Sequence, residues 1–124
     1  VFQEDRLCGV FSAVANVRLA TGRTLPEPEI LRHLEELGLA GSARLPVSQL
    51  SGGMRRRVAI ARAVCAGPQL LLLDEAFKGL DDQCRRDTVA YIRRHTPGAS
   101  LLCVTHDPEE AALLGGRCLD LSAL

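Results

Sequence analysis

The sequence predicts an α/β domain with a helical part before its strands. Two runs of residues, 70–73 and 100–104, are almost continuously apolar, and polar residues follow each of them. Continuous hydrophobicity, unlike alternation, is typical of strands buried on both faces of a parallel sheet. Amphipathic stretches separate and follow these runs, so strands and helices alternate as in a layered α/β unit.

The first part of the chain predicts helices joined by loops. Residues 1–3 have the character of a strand end, and apolar residues then recur at helical spacing in two stretches. The predicted helices cover residues 12–19 and 29–37. A loop rich in glycine and proline is predicted over residues 21–28, and Gly38 is a suitable stop for the second helix.

The second part predicts a long helix after Ser51 and then alternating elements. Their predicted order is strand 70–73, helix 81–94, strand 100–104, helix 108–114 and strand 117–121. We therefore expect a helical subdomain over residues 4–50 and an α/β portion over residues 51–124.

Composition excludes several classes of function. The chain has 124 residues, 15 basic and 15 acidic, and its aromatic content is 3%. A neutral chain with few aromatic rings is not expected to bind nucleic acid. The five cysteines are scattered and odd in number, which indicates reduced thiols. No apolar run reaches the ~18 residues of a membrane span, so we expect any membrane association to come through a partner.

Asp74 and Glu75 directly follow the apolar run 70–73. Acidic residues at the end of a buried strand are costly unless they bind a cation or transfer protons. In phosphoryl transfer to water, one carboxylate can hold Mg²⁺ while another activates the attacking water. The pair therefore indicates nucleotide chemistry, and the alternative is an ordinary acidic turn.

Residues 51–53, Ser51-Gly52-Gly53, precede the long helix. Glycines let the backbone approach an anion, and the helix start presents free N–H groups and the positive end of its dipole. The alternative is a serine-capped helix without a ligand. The next three residues, Arg55 to Arg57, are expected to be solvated or packing residues.

These pieces occur in the order and at the spacing of one family. The sequence resembles the ATPases of ATP-binding cassette (ABC) transporters over its whole length, most closely those of nitrate, sulfonate and taurine importers. The matching motifs are the Q-loop (Val1-Phe2-Gln3-Glu4), the signature (Leu50 to Met54), Walker B with the catalytic glutamate (Leu70 to Glu75), the D-loop (Gly79-Leu80-Asp81) and the H-loop (Thr105-His106-Asp107).

The resemblance implies a P-loop NTPase sheet with a helical subdomain, and ATP and Mg²⁺ as cofactors. Gln3 would contact Mg²⁺ and the attacking water and would couple to the membrane subunit. Asp74 would support Mg²⁺, Glu75 would be the general base, and His106 would contact the γ-phosphate.

The resemblance also implies partners. Asp81 would belong to the contact between paired cassettes, and Ser51, Gly52 and Gly53 would bind the γ-phosphate of ATP held mainly by a second ATPase subunit. Transmembrane permease subunits would hold the pair at the inner face of the plasma membrane, on the cytoplasmic side.

Three departures from the family pattern stand out. Met54 occupies a position where glutamine is frequent, and Ala76 one where proline is frequent. The only lysine is Lys78, so the sequence contains no G-x-x-x-x-G-K-[ST] phosphate loop, or Walker A. We therefore expect a fragment of an importer ATPase that does not bind ATP by itself in the usual way.

Two alternatives remain. One is a non-catalytic half-cassette that lends its signature to a complete partner. The other is a chromosome-maintenance or DNA-repair ATPase, which the short interval between Gln3 and Ser51 disfavours.

Overall fold

The computed structural model describes residues 1–123, which form five α-helices and two strands. The helices are α1 (Ala13–Thr21), α2 (Glu27–Glu36), α3 (Gly52–Cys65), α4 (Asp82–His95) and α5 (Pro108–Leu114). The strands are β1 (Leu70–Asp74) and β2 (Ser100–Val104). Short 3-10 turns cover Ala40–Ser42, Val47–Gln49 and Leu121–Ala123.

The first two helices begin and end where local chemistry allows it. Ser12 caps α1 by accepting a hydrogen bond from the backbone of Ala15, and Gly22, in the left-handed region with φ 59°, ends it. Helix α2 begins at Glu27, inside the segment that was predicted to be a loop. The loop prediction was wrong for Glu27 and Pro28. A proline fits the first turn of a helix because the N–H that it lacks would have no partner there, and the acidic Glu27 and Glu29 favour a helix start.

The two strands are parallel neighbours joined through α4, as the order of elements predicted. Their register places Leu70 beside Ser100 and Asp74 beside Val104. The two carboxyl ends therefore lie together at one edge of the sheet. Residues 1–3 do not form a regular strand, but Val1 exchanges backbone hydrogen bonds with β1: it donates to Leu72 and accepts from Asp74.

One apolar core runs through the helices and one face of the sheet. Leu71 and Leu73 of β1 are buried in it, whereas Leu70 and Leu72 are about half exposed (54% and 51%). The prediction that both strands are buried on both faces was therefore wrong. Side chains alternate across a strand, so covering both faces needs a layer on each, and the described residues supply only one.

The predicted last strand over residues 117–121 is also absent from the described structure. Gly115 and Gly116, both in the left-handed region, redirect the chain after α5, and residues 117–120 have no regular structure before the 3-10 turn Leu121–Ala123. Leu119 and Leu121 lie exposed there, without a neighbouring strand to pair with.

Two general features concern the cysteines and the lengths of the helices. All five cysteines are free, and burial raises the pKa of the Cys65 and Cys103 thiols to about 11, which disfavours reactive thiolates. Within residues 1–123, every helix is too short or too polar to cross a lipid bilayer.

Candidate active site

The edge of the sheet where β1 and β2 end brings the predicted acidic pair to the predicted histidine. The backbone N–H of Glu75 donates to the carbonyl of Val104 at 2.9 Å, which holds the turn after β1 against the end of β2. Glu75 itself is in the left-handed region, with φ 50°. A residue other than glycine pays conformational strain there, and such strain is concentrated at functional sites.

The side chains of Glu75 and His106 are in direct contact. Oε1 of Glu75 lies 2.7 Å from Nδ1 of His106. A carboxylate can only accept, so Nδ1 of His106 carries the proton in this contact. The Glu75 side chain is largely buried (17% exposed), whereas the His106 ring is open to solvent (86%).

The carboxylate changes the acid–base chemistry of the ring. The hydrogen bond to Glu75 and the negative charge of its carboxylate raise the pKa of His106 above its ordinary value. Nε2 of His106 makes no hydrogen bond among the residues that the structure describes. The pair therefore combines a carboxylate suited to accept a proton with an imidazole suited to contact an anion.

Asp74 is exposed at the same edge, as the last residue of β1. Mg²⁺ in nucleotide sites is commonly held by one or two carboxylates together with phosphate oxygens and water. Asp74 provides one exposed carboxylate next to Glu75, and Gln3 provides an amide in a nearby segment. These groups fit the oxygen ligands that Mg²⁺ prefers. The described residues contain no group of three or more histidine, cysteine or acidic side chains that could enclose a metal ion.

Gln3 is exposed and is held by α3 through its main chain. Arg56 donates to the carbonyls of Phe2, at 2.7 Å, and of Gln3, and its Nε lies 3.3 Å from Asp5. Because Val1 bonds to the backbone of Asp74, the Gln3 segment starts at the carboxyl end of β1. The structure gives no direct contact between the Gln3 side chain and the Glu75–His106 pair.

Arg56 is a residue whose role the sequence analysis missed. It is 7% exposed, which agrees with one of the two expectations for this run of arginines, namely that they are packing residues. A signal was present, because Arg56 lies four residues before Ile60 and therefore on the buried stripe of the helix. Its partners, more than fifty residues away, could not be read from the sequence.

The predicted anion site forms the exposed start of α3. Ser51 is the N-cap, and its hydroxyl accepts from the N–H of Met54 at 3.2 Å. A Cβ added to Gly52 would meet nothing within 4 Å, and one added to Gly53 would make only ordinary contact at 3.6 Å. Packing inside this chain therefore does not require glycine at either position.

The turn before α4 lies against the start of α3. The atoms nearest to a Cβ at Gly53 are the carbonyl oxygen of Gly79 and a methyl group of Leu80. Gly79 is in the left-handed region (φ 85°), and Asp81 caps α4 by accepting from the N–H of Cys84 at 2.8 Å. The structure thus forms two separate groups of site residues. One joins residues 51–53 to residues 79–81, and the other joins Asp74 and Glu75 to His106.

Comparison with known proteins places this arrangement in a family. The family model described as "ABC transporter" matches residues 1–78. The aliphatic sulfonates import ATP-binding protein SsuB 2 of Burkholderia lata is 45% identical over 98% of this chain and 46% of its own length. A protein of the same name from Frankia alni is 43% identical over 98% of this chain and 50% of its own.

The fold agrees with these relatives. The dimeric structure of MJ0796, a bacterial ABC transporter cassette, superposes with a TM-score of 0.81 and 27% sequence identity, over 90% of this chain and 54% of that one. The chain spans about half the length of the curated relatives it matches. Its α/β fold is that of an ABC ATPase, and the chain belongs to the ABC transporter family.

Proposed function

We propose that this chain is the signature- and carboxylate-bearing part of the ATP-hydrolysing subunit of an ABC importer. The observation that carries the proposal is the Glu75–His106 contact at the carboxyl ends of two parallel strands. That contact provides a proton acceptor and an imidazole at one place, as hydrolysis of a phosphoanhydride by water requires.

The roles of the site residues follow from their positions. Glu75 accepts the proton of the attacking water, and His106 donates from Nε2 to the terminal phosphate when its ring is protonated. Asp74 and the Gln3 amide are the residues that would hold Mg²⁺, and the ion would neutralise charge on the phosphates. The contact of Glu75 with His106 supports its assignment as the base.

The start of α3 serves a second ATPase subunit. Ser51, Gly52 and Gly53 form an exposed helix start whose glycines are not needed for packing within this chain. Such a start favours an anion brought from outside, and we propose the γ-phosphate of ATP bound by the partner cassette. Asp81, in the turn that contacts Gly53, belongs to the same contact between cassettes.

The other partners and the transported class follow from the relatives. Because the relatives are named as import ATP-binding proteins for aliphatic sulfonates, we propose transmembrane permease subunits as partners and a small organic anion of that class as cargo. The chain would then lie on the cytoplasmic side of the plasma membrane, attached through the permease. The 4–50 helical segment would contact the permease, and residues 51–124 would carry the chemistry.

The alternative function is a non-catalytic half-cassette. It would lend the signature of residues 51–53 to a complete cassette without hydrolysing ATP itself. Both functions predict ATP-dependent pairing with a complete cassette. They differ in whether Glu75 contributes to turnover.

The test builds a chimera in which this chain replaces the matching half of an aliphatic sulfonate importer cassette, so that the other half supplies a phosphate loop, and adds Mg-ATP. Association is measured by size-exclusion chromatography and phosphate release by a coupled assay. The importer ATPase predicts pairing and a fall of at least about a hundredfold in the chain-dependent phosphate release with Glu75→Gln, while the exposed control Glu35→Gln leaves it unchanged. Pairing with turnover insensitive to Glu75→Gln would support the half-cassette, and absence of pairing would contradict both.

A further inference from the structure

Arg85 lies in the first turn of α4 and is almost fully buried (8% exposed). Its guanidinium group is surrounded by carboxylates. It donates to Asp82 at 2.9 Å within its own helix, to Asp107 at 2.8 Å and to Glu109 at 2.7 Å. Glu110, also buried, has an oxygen 4.0 Å away. An arginine fork suits such a set because its planar donors can bind several carboxylates at fixed angles.

Two of these carboxylates adjoin His106 on its C-terminal side. Asp107 uses one oxygen to accept from Arg85 and the other to cap α5 by accepting from the N–H of Glu109 at 2.9 Å. Arg85 of α4 is therefore bonded both to Asp107, directly after His106, and to Glu109, in the first turn of α5.

The residue before His106 belongs to the same network. The hydroxyl of Thr105 donates to Glu110 at 2.6 Å and accepts from the N–H of Asp107 at 3.0 Å. The main chain is thus held on both sides of His106. Its ring, by contrast, is open to solvent and bonded to Glu75.

We propose that Arg85 is a positioning residue for His106: by holding Asp107 and Glu109, it sets the direction in which Nδ1 of His106 meets Glu75. Arg85 also joins this loop to the start of α4, four residues after Asp81. The inference rests on the proposed role of the Glu75–His106 pair, but its test needs no nucleotide.

The ring tautomer of His106 gives a direct readout. In the neutral ring, a hydrogen bond to Glu75 favours the proton on Nδ1, and loss of that bond frees it to move to Nε2. Two-bond ¹H–¹⁵N spectra of the full chain, recorded well above the titration of the ring, distinguish the two forms. The chain has three histidines, and His106→Gln assigns the signal.

The variants compare two neighbouring arginines. Arg85→Met removes the guanidinium group and keeps an unbranched side chain in its place. Arg86→Met is the control, because Arg86 is exposed and bonded to Gln83 of its own helix at 3.0 Å. We expect mainly the Nδ1–H form in the parent chain and in Arg86→Met. In Arg85→Met the tautomer ratio should shift roughly fivefold toward Nε2–H, the scale of one net hydrogen bond.

A double variant separates positioning from packing. Glu75→Ala removes the hydrogen-bond acceptor, so its tautomer ratio is that of a His106 ring without the contact. Adding Arg85→Met to Glu75→Ala should cause no further shift of that ratio. If Arg85 only docked α5 on α4, its removal would lower the free energy of unfolding without changing the tautomer ratio of His106. An unchanged ratio in folded Arg85→Met, or Nε2–H as the main form in the parent chain, overturns the proposal.

Should Arg85→Met fail to fold, Glu109→Ala takes its place. The Glu109 side chain is 73% exposed, so its loss leaves the core intact while removing one arm of the network. We expect a smaller shift in the same direction, and an unchanged tautomer overturns the proposal. If ATP hydrolysis fails for this chain while the tautomer responds, only the proposed function is contradicted.

Discussion

Glu75 and His106 are 31 residues apart and follow different strands, yet the carboxylate of one binds Nδ1 of the other at 2.7 Å. The parallel register of β1 and β2 makes the contact possible, since it places both strand ends at one edge. The contact also raises the pKa of the imidazole, chiefly through the hydrogen bond to Glu75.

The titration of His106 should depend on Glu75. The carboxylate raises the pKa of His106, so Glu75→Gln, which keeps the shape and removes the charge, should return that pKa toward the ordinary value of about 6.5. Histidine NMR signals followed against pH measure the change. Glu35→Gln is the control, and an equal fall of the pKa in that variant would contradict a local effect.

His33 should make the free energy of unfolding depend on pH, with the sign opposite to that expected from the raised pKa of His106. His33 of α2 lies 2.7 Å from the hydroxyl of Tyr91 of α4, and its ring stacks near that of His95. Burial, followed by the charge of His95, lowers the pKa of His33, with Arg32 adding to this and Glu36 and Glu29 opposing it.

A lowered pKa means that the unfolded chain binds the proton more readily than the folded chain. The free energy of unfolding should therefore fall as pH decreases through about 6.5. His33→Gln, which can still accept from Tyr91, should flatten that fall in denaturant unfolding between pH 7.5 and 5.5. His106 has a raised pKa and stabilises the fold at low pH, so His106→Gln should steepen the fall. Equal slopes in all three chains would contradict both signs.

Removal of the Arg56 side chain should release the Gln3 segment. Arg56→Met leaves Asp5 unpaired and two carbonyls without their donor, and we expect a loss of about 3 kcal/mol in the free energy of unfolding. Amide hydrogen exchange of residues 2–6 should accelerate. The control is Arg32→Met, because Arg32 is exposed and paired within its own helix. Unchanged exchange in residues 2–6 would contradict the role of Arg56.

The glycines at the start of α3 should be dispensable for folding. Gly52→Ala should leave the free energy of unfolding unchanged or raise it by up to about 1 kcal/mol, because alanine favours helix and open space surrounds the new methyl group. The same change should abolish ATP-dependent pairing with a complete cassette. Gly98→Ala, in a loop remote from this helix, is the control for pairing. Normal pairing by Gly52→Ala would argue against close approach of an anion.

The exposed leucines of the sheet should promote self-association. Leu72 and Leu102 are 51% and 59% exposed and stand side by side in the register of the two strands. Leu72→Gln and Leu102→Gln together should reduce concentration-dependent association in sedimentation velocity, with a change in stability of about 1 kcal/mol or less. Leu19→Gln removes an equally exposed leucine from α1 and should have no effect on association.

Local patterns predicted most of the secondary structure. Helix α5 and strand β2 have the predicted bounds, β1 extends one residue further at its end, and α4 is shifted by one residue at each end. These elements depend on apolar spacing and on capping residues such as Asp107, which act within a few positions of one another. The last strand was wrong because a strand needs a neighbour, and no local pattern supplies one.

By itself, the sequence determined the order of the elements, the serine cap before α3 and the acidic pair at the end of β1, because these depend on residues close together along the chain. Only the tertiary structure decided which arginines are buried and what they bind: Arg56 reaches Gln3 and Arg85 reaches Asp107. It also decided which faces of the strands are covered. Periodicity shows that a side chain faces inward, but its partners come from distant segments that only folding brings together.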